Sequence, residues 1–172
     1  SLQHAKRNGI ERVTAGADKS SDSTLSSAPV ELGVEITLAE VKAHLDLGNV
    51  VEATEILAKV QSEDQAADPW RVQWYAGLIA LLHHEYHSAF TSFDNVLGAM
   101  PGELAPKLAL GATSELLGHV ALGKDDESEK WRARAESLYR AVWRTNRGIV
   151  SSAFGLARQL QRRGDQTGAI AA

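Results

Sequence analysis

Pro69-Trp70-Arg71-Val72-Gln73-Trp74-Tyr75-Ala76-Gly77, continued through Ser88-Ala89-Phe90-Thr91-Ser92-Phe93 to Met100-Pro101, sets small and large residues at fixed intervals. With Trp70 as position 1, Gly77 falls at position 8, Ala89 at 20, Phe93 at 24 and Pro101 at 32. Two antiparallel helices approach closely only where one offers a small residue to the other. Gly77 and Ala89 therefore form the crossing, Phe93 fills the space beside it, and Pro101, lacking an N–H, stops the second helix.

These spacings define a tetratricopeptide repeat, a helix-turn-helix unit of 34 residues. One such unit cannot bury its apolar face alone, so neighbours are required. Upstream, Gly48, Ala53 and Leu57 take positions 15, 20 and 24 of a first unit. Its front helix carries Leu38, Val41 and Leu45 on one face, and Thr37 with Glu40 reads as a capping box at its start. Downstream, Leu110, Gly111 and Gly118 take positions 7, 8 and 15 of a third unit. The small residue of its second helix arrives only at Ala135, with Tyr139 four residues on, which implies a polar insertion over 119–130. A fourth unit follows Thr145-Asn146-Arg147-Gly148, with Leu156, Ala157, Leu160, Gly164 and Ala169 in register. It stops at position 23, so it is expected to be frayed, shielded by a partner, or completed by further sequence.

The fold expected is an all-α tetratricopeptide-repeat (TPR) helical solenoid of three complete repeats plus one partial. Its repeats run over about 34–68, 70–103, 104–149 and 150–172, within a domain over 35–172. Residues 1–34 read as a short helical segment over Leu2–Val13 and a flexible linker from Thr14 to Gly33 that contains Ser20-Ser21-Asp22-Ser23-Thr24-Leu25-Ser26-Ser27-Ala28-Pro29.

Composition narrows the function. At 172 residues and 44% hydrophobic, the chain can hold three to four stacked repeats. Its longest apolar run, Gly77 to Leu82, is far short of the roughly 20 residues of a membrane span, so no membrane insertion is expected. The absence of cysteine removes disulfides and thiolate metal sites and fits a cytoplasmic location. A net charge of −4 gives no general reason to bind nucleic acid.

No cofactor, catalytic residue or metal site is expected. Gly118 to Asp125 imitates a phosphate loop, but Asp125 stands where a magnesium-holding hydroxyl belongs and no strand precedes it. His83, His84 and His87 share one turn, but at repeat positions 14, 15 and 18 they read as a solvated turn. The candidate site is the concave groove, lined by positions 2, 5, 9, 12 and 13 of each front helix. It is expected to present Lys42, Arg71, Trp74, Leu78, Leu108, Glu115, Arg158, Gln161 and Arg162 to a protein partner. Arg158 and Arg162, one turn apart, suit a bidentate grip on a carboxylate or phosphate; the alternative is simple solvation.

Beyond the repeat spacing, several strings are specific: Trp70-Arg71-Val72-Gln73-Trp74-Tyr75, Val96 through Leu110, Val142-Trp143-Arg144-Thr145-Asn146 and Ser152 through Arg158. They resemble the C-terminal tetratricopeptide region of the actinobacterial serine/threonine protein kinase G (PknG) family. The resemblance implies a non-catalytic regulatory, dimerisation and substrate-recruitment module, hence a homodimer. It also implies a kinase that phosphorylates a forkhead-associated-domain regulator of 2-oxoglutarate dehydrogenase and so controls 2-oxoglutarate and glutamate metabolism. None of the phosphoryl-transfer motifs lies in this chain: no Gly-rich nucleotide loop, no His-Arg-Asp, no Asp-Phe-Gly. The alternative is a free-standing adaptor that binds another protein or peptide in the groove.

Overall fold

The computed structural model describes residues 28–62, 69–121 and 123–171. The expected helix over Leu2–Val13, most of the Ser-rich linker and the connector over 63–68 lie outside them. Eight helices follow one another, with no strand among the described residues: α1 (Ala28–Asp46), α2 (Val50–Ser62), α3 (Pro69–Leu82), α4 (Tyr86–Ala99), α5 (Leu104–Val120), α6 (Asp125–Thr145), α7 (Val150–Arg162) and α8 (Gln166–Ala171). Each consecutive pair packs together, and α1 also touches α3 as α5 touches α7. That is the all-α repeat stack expected, with odd-numbered helices in front and even-numbered helices behind.

Close packing at the crossings sets the register. A Cβ on Gly77 would sit 2.6 Å from Phe93 Cε1, inside van der Waals contact, so Phe93 on α4 lies directly on the α3 backbone. In the third unit Tyr139 plays that part. A Cβ on Gly111 would approach it to 3.1 Å, and one on Gly155, from the next unit, to 2.5 Å. Tyr139 is thus held between two glycines of successive front helices. Three apolar clusters run along the stack, around Val41 and Leu57, around Phe93 and Leu110, and around Tyr139 and Leu160.

The turns within units repeat one another. Gly48 and Gly164 have φ of 77° and 84°, and the same position of the second unit is filled by His84 at φ 62°. At each, a pair of hydrogen bonds closes the helix end: Gly48 N to Leu45 O and Asn49 N to His44 O, His84 N to Leu81 O and Glu85 N to Ala80 O, Gly164 N to Gln161 O and Asp165 N to Leu160 O. This is the Schellman closure, which needs a left-handed residue. Glycine adopts that conformation freely; histidine does so at a cost.

Two expectations about element ends need correction. Thr37 does not cap the first front helix, because α1 begins at Ala28 and runs through it. Its hydroxyl donates to Gly33 O at 2.9 Å inside the helix. Pro29 near the helix start is tolerated because its missing N–H would have no partner in the first turn.

The extra residues over 119–130 are mostly not a loop. They lengthen α5 to Val120 and start α6 at Asp125, leaving only a short turn whose left-handed residue is Gly123, at φ 95°. Asp125, Asp126 and Glu127 fall in the first turn of α6, where negative charge opposes the positive end of the helix dipole. Gly118, expected in the turn, is buried inside α5; a Cβ there would meet Arg132 Cγ at 3.1 Å. Ser128 is 4% exposed and donates its hydroxyl hydrogen to Gly118 O at 2.8 Å, which pins the two extended helices together.

Candidate protein-binding surface

The front helices α1, α3, α5 and α7 carry the expected groove residues, and the structure divides them into two sets. Lys42 stands in solvent, paired with Asp46 one turn along α1. Arg71 pairs with Glu35 across α1 and α3, its guanidinium 5.2 Å from the centre of the Trp70 ring. Trp74 and Leu78 are half-buried against the second cluster, the Trp74 ring 5.3 Å from Phe93. Leu108 packs partly against the third cluster, and Gln161 is exposed. These six keep accessible surface and take no part in the buried charge network described next.

Glu115, Arg158 and Arg162 are engaged with one another. Glu115 is 7% exposed on α5, and Arg158 from α7 grips it with two hydrogen bonds, Nε to Oε1 at 2.9 Å and Nη2 to Oε2 at 2.8 Å. Tyr139 on α6 donates its hydroxyl to the same Oε2 at 2.9 Å. Arg162 stands 3.6 Å from Oε1 and also contacts His119 Nε2 at 2.7 Å. Arg158 alone therefore holds a carboxylate bidentately, and an internal one, with Arg162 adding only a longer ion pair.

The electrostatics follow from this arrangement. Burial pushes the Glu115 carboxyl upward, but hydrogen bonds from Arg158 and Tyr139, with the charges of Arg158 and Arg162, outweigh it and leave it below its ordinary value. Burial, reinforced by the neighbouring Glu115, raises the Tyr139 phenol far above its usual range. At neutral pH the network is an ionised carboxylate held by a neutral phenol and two guanidiniums. It joins α5, α6 and α7, just as Glu35 with Arg71 joins α1 and α3, and Arg134 with Asp94, 3.6 Å apart, joins α4 and α6. Charged residues on both front and rear helices thus tie successive repeats together.

Sequence reading missed two participants. Tyr139 was placed as core filler, and nothing in its spacing marked its hydroxyl as a donor to a residue 24 positions away. Trp131, inside the supposed insertion, packs edge-on against Phe90 at 5.1 Å and His87 at 5.8 Å, covering the second turn from the α6 side. Trp131, Ala135 and Tyr139 share one face of α6, and that four-residue period was the signal available. Among the described residues no group of three His, Asp or Glu is arranged to hold a metal ion, and no helix is long and apolar enough to cross a membrane.

The chain matches the Protein kinase G tetratricopeptide repeat family over residues 2–172. The chain belongs to that family. It is similar to the serine/threonine-protein kinase PknG of Mycobacterium leprae, 47% identical over 137 residues, which cover 80% of this chain and 16% of that protein. It is also similar to the serine/threonine-protein kinase PknG of Mycolicibacterium smegmatis, 41% identical over 140 residues with the same coverage. The matched segment therefore spans less than a fifth of the length of these relatives.

Proposed function

We propose that the chain is the non-catalytic regulatory module of a PknG-like serine/threonine kinase. In this reading it dimerises and recruits a forkhead-associated-domain substrate, by which the kinase controls 2-oxoglutarate and glutamate metabolism in the cytoplasm. The observation that carries the reading is the accessible half of the front-helix surface. Lys42, Arg71, Trp74 and Leu78 stay partly open on α1 and α3, while on α5 the Glu115 carboxylate is buried and held by Arg158 of α7. A half-exposed tryptophan beside basic side chains is the residue type that anchors protein interfaces.

The mechanism is positional. Holding the substrate near the kinase raises its effective concentration without any chemistry in the repeats. Removal of residues 35–172 from the kinase should then raise KM for the regulator several-fold and leave kcat nearly unchanged. Equal phosphorylation with and without them at low substrate concentration would overturn recruitment.

A further inference from the structure

A small cavity of about 70 Å³ opens between α6 and α7. Arg132, Glu129 and Glu136 of α6 line it, with Gln159 and Arg162 of α7 and Arg163 just past its end. Gln159 is 4% exposed, yet neither its Nε2 nor its Oε1 has a hydrogen-bond partner among the described residues. Arg132 Nε is likewise buried and unpartnered. Three orphaned polar atoms in one wall are costly: each buried group left without a partner costs about 1–3 kcal/mol.

The charges around the cavity are unequal. Glu136 is already held by Arg140 at 2.7 Å and by Arg163 at 2.9 Å, which spends its charge. Arg162 divides its contacts between His119 and Glu115, and Glu129 is exposed. Arg132 lines the cavity with its Nε unpartnered and forms no ion pair among the described residues, so of the three guanidiniums there it is the one whose charge no neighbouring carboxylate holds. A fitting ligand must accept from Arg132 Nε and Gln159 Nε2, donate to Gln159 Oε1, and carry negative charge. Water supplies the first two features without the third. A carboxylate or sulfate supplies charge without a donor. A protonated phosphate supplies all of them, since its oxygens accept and its P–OH donates.

We propose that this cavity binds a hydrogen phosphate group, through Arg132 and Gln159 and with Arg163 at its rim. The group has two sources of the same chemistry, free inorganic phosphate and the phosphoryl group of a phosphorylated hydroxyl side chain. Neither source is needed for the recruitment proposed above.

The test is calorimetric titration of the full chain with sodium phosphate at constant ionic strength, alongside sodium sulfate and O-phosphoserine, with the Gln159 side-chain amide followed by NMR. Saturable millimolar or tighter binding of phosphate is expected, at least about tenfold stronger than sulfate, with the Gln159 amide shifting along the same isotherm. Gln159→Leu and Arg132→Gln should each weaken it by about tenfold while circular dichroism stays helical. O-phosphoserine as strong as phosphate would make a modified side chain the ligand; phosphate alone would make it the free ion. No saturable binding, equal binding of sulfate, or an unmoved Gln159 amide would overturn the proposal, whatever the variants do.

Discussion

Tyr139 donates its hydroxyl hydrogen to Glu115 at 2.9 Å from a ring clamped between Gly111 and Gly155. Shape and charge meet in one side chain: the glycines fix where the ring lies, and the ring's position fixes where the buried carboxylate finds its donor. Arg158 then reaches that carboxylate from the next repeat.

The carboxylate therefore carries an inter-repeat contribution that depends on pH. Its pKa is lowered in the folded chain, so the stabilisation is full above the unfolded value of about 4.3 and is lost as pH falls through the folded value. Glu115→Gln should cost about 2 kcal/mol at pH 7, a figure moderated because Arg158 is half-exposed. It should also flatten the decline of melting temperature in acid. Parallel acid limbs for the variant and the parent chain would contradict this.

Gly155→Ala places a methyl 2.5 Å from the Tyr139 ring, and Gly77→Ala places one 2.6 Å from Phe93. Each should destabilise by about 2 kcal/mol or more through overpacking. Gly33→Ala, on an exposed stretch of α1 with nothing within 4 Å of the added carbon, should instead stabilise by up to about 1 kcal/mol. Denaturant midpoints for the three would settle the register.

Ser128 separates the helical reading of 119–130 from the looped one. As a solvated insertion residue it would tolerate leucine, but it is buried and bonded to Gly118 O. Ser128→Leu should cost about 2 kcal/mol and Ser128→Ala about 1 kcal/mol. Thermal melts showing no change in either would restore the solvated insertion.

His84 occupies a left-handed position that its counterparts Gly48 and Gly164 fill with glycine. His84→Gly should raise stability by roughly 0.5–1 kcal/mol, less whatever the exposed contact of His84 Nδ1 with the Tyr86 hydroxyl contributes. His84→Val should lower it, since β-branching makes the conformation worse.

The second unit was legible in the sequence because its information is local: Gly77, Ala89 and Phe93 are separated by intervals that a single helix pair dictates. The third was misread for two physical reasons. Gly118 has the spacing of a turn glycine but serves close packing, and the run Lys124-Asp125-Asp126-Glu127 looks like solvated loop although acidic residues favour a helix start. Thr37 with Glu40 shows the same limit, since a capping pair in sequence has no force inside a helix that has already begun. The Glu115 network was half legible. Arg158 and Arg162 announced a bidentate grip, but only the superposition of repeats shows that the carboxylate is the protein's own.

Recruitment through the open part of the front-helix surface is the central claim, and a direct binding titration tests it. The forkhead-associated-domain regulator should bind the chain saturably, and Trp74→Ala should weaken binding by about tenfold or more while the helical content stays intact. Binding unaffected by Trp74→Ala would contradict the assigned surface, and no binding at all would contradict recruitment.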